Sequence, residues 1–266
     1  MDNIKKVAFI TEPRKHKALK FVLENYISIL PEEWDCSVHG IVRGNLDYIK
    51  TVIDSSSIIS LASSKSRITF KNLNVSNLEH EDESHLSKTE KFWDELGGDL
   101  LLKFECDTML CPTSEYKVED FEHFDFIGGY WGAQLYQPID DLYPSLKPGG
   151  AYSPPYKGPQ VLPMNGALSL RKRDVMIDII RKHLNEYTAL DKPYVDDYFF
   201  SEYVTKPTTR EVITFSIDNG YVSPLDMKAP FGVHKPWNNK GGAWDDIKSV
   251  CEGIETLRNL QIIEET

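Results

Sequence analysis

The chain has 266 residues, of which 41% are hydrophobic and 27% charged, and its formal net charge at pH 7 is -11. These proportions are those of ordinary globular proteins, and they exclude wholesale disorder and fibrous repeats. The negative charge would repel a phosphodiester backbone and no dense stripe of lysine and arginine offsets it, which argues against nucleic acid as a partner.

The N-terminal residues and the cysteines indicate a cytoplasmic protein. Residues 1–10 contain two lysines and a short apolar run, far less than a signal peptide or a membrane span requires. The four cysteines include no CxxC pair and are too sparse for a disulfide framework. We therefore expect four free thiols, a cytoplasmic location and no transmembrane segment.

The N-terminal part predicts strands that alternate with helices. An apolar strand at residues 6–11 precedes a helix at residues 19–30, where apolar residues recur every three or four positions until Pro31 stops the helix. Further apolar runs lie at residues 37–42, 57–61, 67–73 and 100–104, separated by helical or polar stretches such as 46–54 and 87–96. This alternation predicts an α/β fold with a mixed, mainly parallel central sheet flanked by helices.

The C-terminal part begins with a change in composition. Residues 130–163 are rich in Gly, Pro, Tyr and Asp and lack periodicity, which predicts a long substrate-facing loop rather than a linker. Beyond it, the pattern predicts helices at 174–187 and 196–204, a strand near 211–217 and a final helix at 245–263.

Two acids follow the predicted strand at residues 100–104. Glu105 and Asp107 lie at its carboxyl end, which is where ligands of open α/β sheets bind. Carboxylates that leave a strand through a turn can approach one hard cation such as Mg²⁺ or Mn²⁺. The pair is a candidate metal and diphosphate site, with a solvated acidic turn as the alternative.

Three later segments add candidate groups. Gly166 would let a ligand approach the backbone, and Asn165 could hydrogen-bond sugar hydroxyls, although a plain turn explains both. Asp196 and Asp197 open an aromatic helix, where they either stabilise its N-terminus or include a carboxylate that accepts a proton. His234 could ligate a metal or simply be packed, and beside it Lys235 could contact a phosphate and Trp237 could stack on a sugar or base.

The order of these segments resembles metal-dependent glycosyltransferases of the GT-A fold. The chain is most similar to a poorly characterised glycosyltransferase-like family, formerly called a domain of unknown function, in which five short segments follow in this order. Here the five segments are Glu12-Pro13-Arg14, Phe92-Trp93, Asp107-Thr108, residues 165–171 and residues 231–237.

The resemblance implies a single domain that transfers a sugar from a nucleoside diphosphate sugar, with a UDP-sugar favoured, to a glycan, protein or lipid hydroxyl. Asp107 and His234 would hold Mn²⁺ or Mg²⁺. Glu105, in the place of the family's first aspartate, would contact the metal, a metal-bound water or ribose. Asp197 would be the catalytic base of an inverting reaction. Asp196 replaces the usual glutamate, which leaves open which of the two acids faces the acceptor.

The same resemblance implies a nucleotide-binding half at about residues 1–129 and an acceptor and catalytic half at about 130–266. The expected nucleotide-sugar contacts are Thr11, Glu12, Arg14, Arg67, Glu105, Asn165, Gly166 and Lys235, and the expected aromatic walls are Tyr130, Trp131 and Trp237. Three alternatives stay open: a retaining transferase, a non-catalytic carbohydrate-binding or structural protein, and a metal-dependent phosphate hydrolase.

Overall fold

The computed structural model describes residues 4–12, 14–39, 46–71, 78, 80–130, 164–189, 195–218, 228–238 and 243–261. Within these ranges nine strands form one mixed sheet, and helices flank it. The strands are β1 (Lys6–Thr11), β2 (Trp34–His39), β3 (Ile68–Lys71), β4 (Leu100–Lys103), β5 (Thr108–Leu110), β6 (Phe126–Tyr130), β7 (Met164–Lys172), β8 (Ser216–Asp218) and β9 (Gly232–His234).

The α-helices of the described residues lie between β1 and β4, between β7 and β8, and after β9. They are α1 (Leu19–Ile29), α2 (Leu46–Asp54), α3 (Ser57–Ser64), α4 (His80–Leu86), α5 (Glu90–Leu96), α6 (Arg173–Ala189), α7 (Asp196–Tyr203), α8 (Thr209–Phe215), α9 (Ala243–Val250) and α10 (Ile254–Gln261). No helix in the part of the chain that the structure describes is both long enough and apolar enough to cross a membrane.

The strand order is β3-β2-β1-β4-β7-β6-β8-β9-β5. The first four strands are parallel, β7 runs antiparallel to both β4 and β6, and β5 runs antiparallel to β9. Strands β6, β8 and β9 are parallel to one another. The predicted mixed, mainly parallel sheet is therefore confirmed.

The burial of the first strand and helix explains why their sequence pattern predicts them correctly. From Val7 to Thr11 every residue of β1 is buried, as expected for a central strand covered on both faces. Helix α1 buries Val22, Leu23 and Tyr26 on one side and ends before Pro31, which has no N–H to continue it. Strand β1 pairs with β4 in parallel, so the carboxyl ends of the two strands lie side by side.

Three predicted elements differ in the structure. Residues 57–61 belong to helix α3, whose first turn is capped by Ser56 Oγ accepting from Ile59 N, so the short apolar run is a helix face and not a strand. Residues 209–215 form α8, since Thr208 and Glu211 make a capping box, and the strand starts only at Ser216. The final helix is divided at Gly253, where φ is +91°.

The long loop predicted at residues 130–163 lies outside the described residues apart from the end of β6. It stays a prediction. The two flanking strands, β6 and β7, pair directly with each other, with a register shift between Gly128 and Gly129. The end of β6 and the start of β7 therefore lie side by side.

The expectation of four free thiols is wrong for two of them. Cys111 and Cys251 form a disulfide across 140 residues of sequence, whereas Cys36 and Cys106 are free and buried. The pairing joins the segment after β5 to the end of α9. Sequence spacing did not reveal it because the two thiols meet only through the tertiary fold.

We expect this disulfide to contribute about 2–4 kcal/mol to the free energy of unfolding, because it restricts the unfolded chain. Chemical denaturation of the oxidised protein, with and without reductant, measures the difference. The double variant Cys111→Ala/Cys251→Ala should be insensitive to reductant, and Cys36→Ala should keep the wild-type sensitivity. Alkylation of four thiols in the unfolded, unreduced protein would contradict the pairing.

Candidate active site

The turn that carries the two acids is fixed from several sides. Thr108, the first residue of β5, donates from Oγ1 to the Glu105 carbonyl oxygen at 2.8 Å and shares a 2.8 Å hydrogen bond with the Tyr26 hydroxyl. From α10, Gln261 donates to the Cys106 carbonyl oxygen at 2.8 Å. The turn between β4 and β5 is therefore held in one conformation by helices from both ends of the chain.

Strand β9 brings His234 to the acid turn. In the antiparallel pairing of β5 and β9, Thr108 is the register partner of His234. The backbone N–H of Lys235 also donates to the Asp107 carbonyl oxygen at 3.1 Å. One ligand atom from each of Glu105, Asp107 and His234 then lies within 4.8 Å of the other two. The three predicted metal-site residues are thus brought together.

Lys235 also lies at this cluster. Its Nζ is 2.9 Å from Asp107 Oδ2, and its backbone has a φ of +44°, in the left-handed region that non-glycine residues rarely adopt. Its neighbours in sequence, His234 and Pro236, are buried. The chain therefore presents an ammonium group beside the acid turn from a constrained backbone position.

The chemistry of this cluster fits a divalent cation. Asp107 Oδ1 and His234 Nε2 are buried and have no hydrogen-bond partner among the described residues. The two atoms are 3.4 Å apart, beyond a good hydrogen bond and close to the spacing of about 3 Å between adjacent ligands of one octahedral ion. A carboxylate oxygen and an imidazole nitrogen are both ligands that Mn²⁺ accepts.

Charge interactions within the cluster lower the pKa of its carboxyl group and raise the pKa of its imidazole. Burial opposes the charge of each group, but His234 and Lys235 outweigh it at Asp107 and lower the pKa of that carboxyl. At His234, Asp218 and Asp107 outweigh burial and raise the pKa of the imidazole to about 10. Ligation of a cation through Nε2 would therefore release a proton.

Glu105 also forms an ion pair with a buried lysine. Lys103, buried at the end of β4, lies 3.3 Å from Glu105 Oε1 and 3.0 Å from Glu83 Oε1. Burial opposes the ammonium charge, but Glu83 and Glu105 outweigh it and raise the pKa of Lys103. Glu105 thus lies between the Lys103 ammonium and the other two candidate ligands, Asp107 and His234, which each have a buried atom without a partner among the described residues.

The paired acids at the start of α7 lie on a buried arginine. Arg171, on β7, places NH1 3.2 Å from Asp196 Oδ2 and NH2 3.7 Å from Asp197 Oδ1. The guanidinium lies 5.6 Å from the ring centre of Trp93 and 4.6 Å from that of Phe126, within range of cation–π contacts. The acids are therefore a buried, charge-paired unit and not a solvated helix N-terminus.

The two acids differ in protonation. Burial raises the pKa of Asp197 to about 7, and the charge of Asp196 adds to this while Arg171 opposes it. At Asp196 burial is outweighed by Lys103 and Arg171, and the pKa is lowered. Asp196 stays ionised, whereas Asp197 can gain or lose a proton near neutral pH.

Gly166 is required by its contact with this unit. Its backbone N–H donates to Asp197. A Cβ at this position would lie 2.1 Å from Asp197 Oδ1 and 2.4 Å from Arg171 NH2, closer than any real contact. The neighbouring Asn165 uses its Oδ1 to accept from Ala167 N at 2.8 Å. The small-residue segment thus supports Asp197 through its backbone.

The expected nucleotide contacts after β1 lie on the side of the acid turn. Glu12, buried, accepts from Arg14 N and Nε at 2.8 Å each and contacts the Cys106 thiol. Thr11 is buried, and its Oγ1 has no partner in the part of the chain that is described. Polar groups therefore accumulate where β1 and β4 end.

Arg67 is not brought to this place. It precedes β3 and donates to the carbonyl oxygens of Pro31 and Trp34 at 3.2 Å, at the opposite, amino-terminal edge of the parallel strands. Trp237 is half-buried and packs edge-on against Trp244 with ring centres 6.5 Å apart. Trp131 and the side chain of Tyr130 lie outside what the structure describes.

Sequence reasoning missed three residues of this site. Lys103 and Arg171 were not predicted as site residues, yet both are buried ion-pair partners of the site acids. Asp218 ends β8 and is fully buried against His234 Nδ1. The signal for all three was a charged residue within or at the end of an apolar run, where a solvated side chain is not expected.

Comparison with known proteins places the chain in a family. The family model described as a protein of unknown function, DUF5672, matches residues 67–234, more than half of the chain, and the chain belongs to that family. The comparison with curated proteins gave no significant match.

Among solved structures, an active-site mutant of LgtC aligns over 98% of both chains with a TM-score of 0.50 and 13% identity, a level that shows a shared fold. The glycosyltransferase GlyE of Streptococcus pneumoniae TIGR4, in its apo form, has a TM-score of 0.49 and 11% identity. The alignment covers 98% of this chain and 61% of the GlyE chain.

The raised pKa of Asp197 predicts a pH-dependent stability. The folded protein keeps this proton up to about pH 7, whereas the unfolded chain releases it near the ordinary value of 3.8. Its contribution therefore makes the free energy of unfolding fall as pH rises from about 4 to 7. Asp197→Asn, which is neutral at every pH, should be more stable than wild type at pH 8 by on the order of 2 kcal/mol and nearly equal at pH 4.

Urea denaturation at both pH values measures this difference, with Asp174→Asn as the matched control because the Asp174 side chain is 83% exposed. Equal stabilities of wild type and Asp197→Asn at pH 8 would show that Asp197 ionises in the folded protein without penalty.

Proposed function

We propose that this protein is a metal-dependent glycosyltransferase that moves a sugar from a nucleoside diphosphate sugar, with a UDP-sugar favoured, to an acceptor hydroxyl. One observation carries the proposal: Glu105, Asp107 and His234 converge at the carboxyl edge of the sheet, with two buried atoms lacking partners among the described residues. The fold is shared with LgtC, a protein that has an active site, and this agrees with an enzymatic role.

Each residue of the cluster has a task in this proposal. Asp107 and His234 would hold Mn²⁺ or Mg²⁺, with Glu105 reaching the ion or a water on it. The bound ion would neutralise charge on the departing diphosphate. Lys235 would offer its ammonium to the same diphosphate once it turns from Asp107. Thr11 and the polar groups after β1 would face the nucleotide.

Asp197 is the proposed base. In an inverting transfer, the acceptor oxygen forms its bond to the anomeric carbon as the bond from that carbon to the diphosphate oxygen breaks. The acceptor proton passes to Asp197. A pKa near 7 suits a general base at neutral pH, whereas the lowered pKa of Asp196 and its ion pair with Arg171 suit a positioning role. These contrasts support Asp197 over Asp196.

Binding of donor and metal is tested by thermal stabilisation with UDP, GDP and dTDP, each with and without Mn²⁺. We expect one nucleotide to raise the melting temperature by about 5–10 °C at a hundredfold excess over its Kd, and only with Mn²⁺. Asp107→Asn should abolish the shift, and Asp174→Asn should keep it. A protein that no nucleotide stabilises would instead be a non-catalytic member of the fold.

Turnover tests the base. Asp197→Asn should reduce sugar transfer by at least about a hundredfold while keeping the Mn²⁺-dependent nucleotide shift, because a general base acts in the chemical step. Product stereochemistry completes the test: an inverted anomer agrees with the proposal, and a retained anomer excludes Asp197 as the base. Release of phosphate without an acceptor would identify a hydrolase.

A further inference from the structure

Asp218 lies behind the proposed metal ligand His234. It is the last residue of β8, has no exposed surface, and is the register partner of His234 in the parallel pairing of β8 and β9. Side chains of such partners point to the same face of a sheet. Here Asp218 Oδ1 contacts His234 Nδ1 directly in a hydrogen bond.

The neighbouring strand makes room for this carboxylate. Gly129, at the register shift of β6, lies against Asp218, and a Cβ added there would be only 3.2 Å from the Asp218 Cβ. The Asp218 side chain is therefore confined between the backbone of β6 and the imidazole of β9. A buried carboxylate is costly unless it is paired, so its position beside one imidazole nitrogen requires explanation.

The pairing leaves one ring nitrogen for a ligand. With Nδ1–H donating to Asp218, the lone pair of neutral His234 lies on Nε2. Nε2 is 3.4 Å from Asp107 Oδ1, and both atoms are buried without a hydrogen-bond partner within the described ranges. The orientation of the ring that serves the cluster is thus set by the bond on its far side.

We propose that Asp218 is a positioning residue of the metal site, which fixes the Nδ1–H tautomer and the ring orientation of His234 so that Nε2 faces the cation with Asp107. This inference rests on the proposed function, because it assumes that His234 binds a metal. Asp218 itself does not touch the ion. Removal of such a hydrogen-bonded partner typically weakens metal binding by about 10–100-fold.

The first experiment measures Mn²⁺ binding by titration calorimetry on wild type, Asp218→Asn and the surface control Asp174→Asn. We expect a 10–100-fold weaker Kd for Asp218→Asn, one site in each protein, and no change in the control. Asp218→Glu, which keeps a carboxylate, should bind more tightly than Asp218→Asn. A merely structural role would lower the melting temperature and leave the Mn²⁺ affinity unchanged, and that result would overturn the inference.

A second measurement is made on wild type, with one further variant used only to assign signals, and it does not depend on the Asp218 variants folding. Long-range ¹H–¹⁵N spectra, with the His234 signals assigned from His234→Gln, should report a protonated Nδ1 and a shift of Nε2 when diamagnetic Zn²⁺ is added. Coordination through Nδ1 would overturn the inference.

The two proposals fail differently. Wild-type protein that binds neither Mn²⁺ nor Zn²⁺ removes the metal from the proposed function and this inference with it. Wild-type protein that binds Mn²⁺ as tightly as Asp218→Asn removes only the inference.

Discussion

The antiparallel pairing of β5 with β9 is the constraint on which the site depends. It joins two segments distant in the chain by register, so that Thr108 faces His234 and the Lys235 N–H meets the Asp107 carbonyl oxygen. Backbone hydrogen bonds, not side-chain attraction, therefore set the distance between carboxylate and imidazole. Without this backbone pairing, the Asp107 carboxylate and the His234 imidazole would not be held at a fixed distance, and a site that must bind a ligand in one geometry depends on such a fixed distance.

Buried ion pairs surround the acids of the site. Lys103 links Glu105 to Glu83, and Arg171 holds Asp196 and Asp197 against a wall of aromatic rings. Ion pairs at this depth contribute little to net stability, since desolvation offsets their attraction. Their effect is on protonation, because the pKa of Asp196 is lowered, which keeps it ionised, and the pKa of Asp197 is raised to about 7. Burial of Asp197 lowers the stability of the fold at neutral pH, but it also gives the carboxyl a pKa suited to proton transfer. Such a trade-off between stability and activity is common at functional sites.

The parts of the fold with long, regular patterns could be predicted from sequence. Strand β1, helix α1 and the acids after β4 follow from periodicity and from the rule that ligands gather at the carboxyl ends of parallel strands. Short elements could not. Helix α3 and helix α8 have apolar runs too brief to separate helix from strand, and their capping residues decided the outcome.

Some residues of the site could likewise be predicted from sequence, and others could not. Asp107 and His234 were found because each stands in a distinctive segment, whereas Asp218 and the disulfide partners meet only through the arrangement of distant strands and helices. Arg67 was assigned to the nucleotide by the family resemblance, but it precedes a parallel strand and so lies at the amino-terminal edge. Strand direction, which single residues do not encode, separates the two edges.

The backbone of Lys235 has a consequence for sequence variation in this segment. At a φ of +44° glycine would be unstrained, whereas a lysine costs about 1–2 kcal/mol. A chain under selection for stability alone would drift toward glycine at this position. This chain instead keeps a lysine there, and its ammonium lies 2.9 Å from Asp107 Oδ2 at the cost of a strained backbone position.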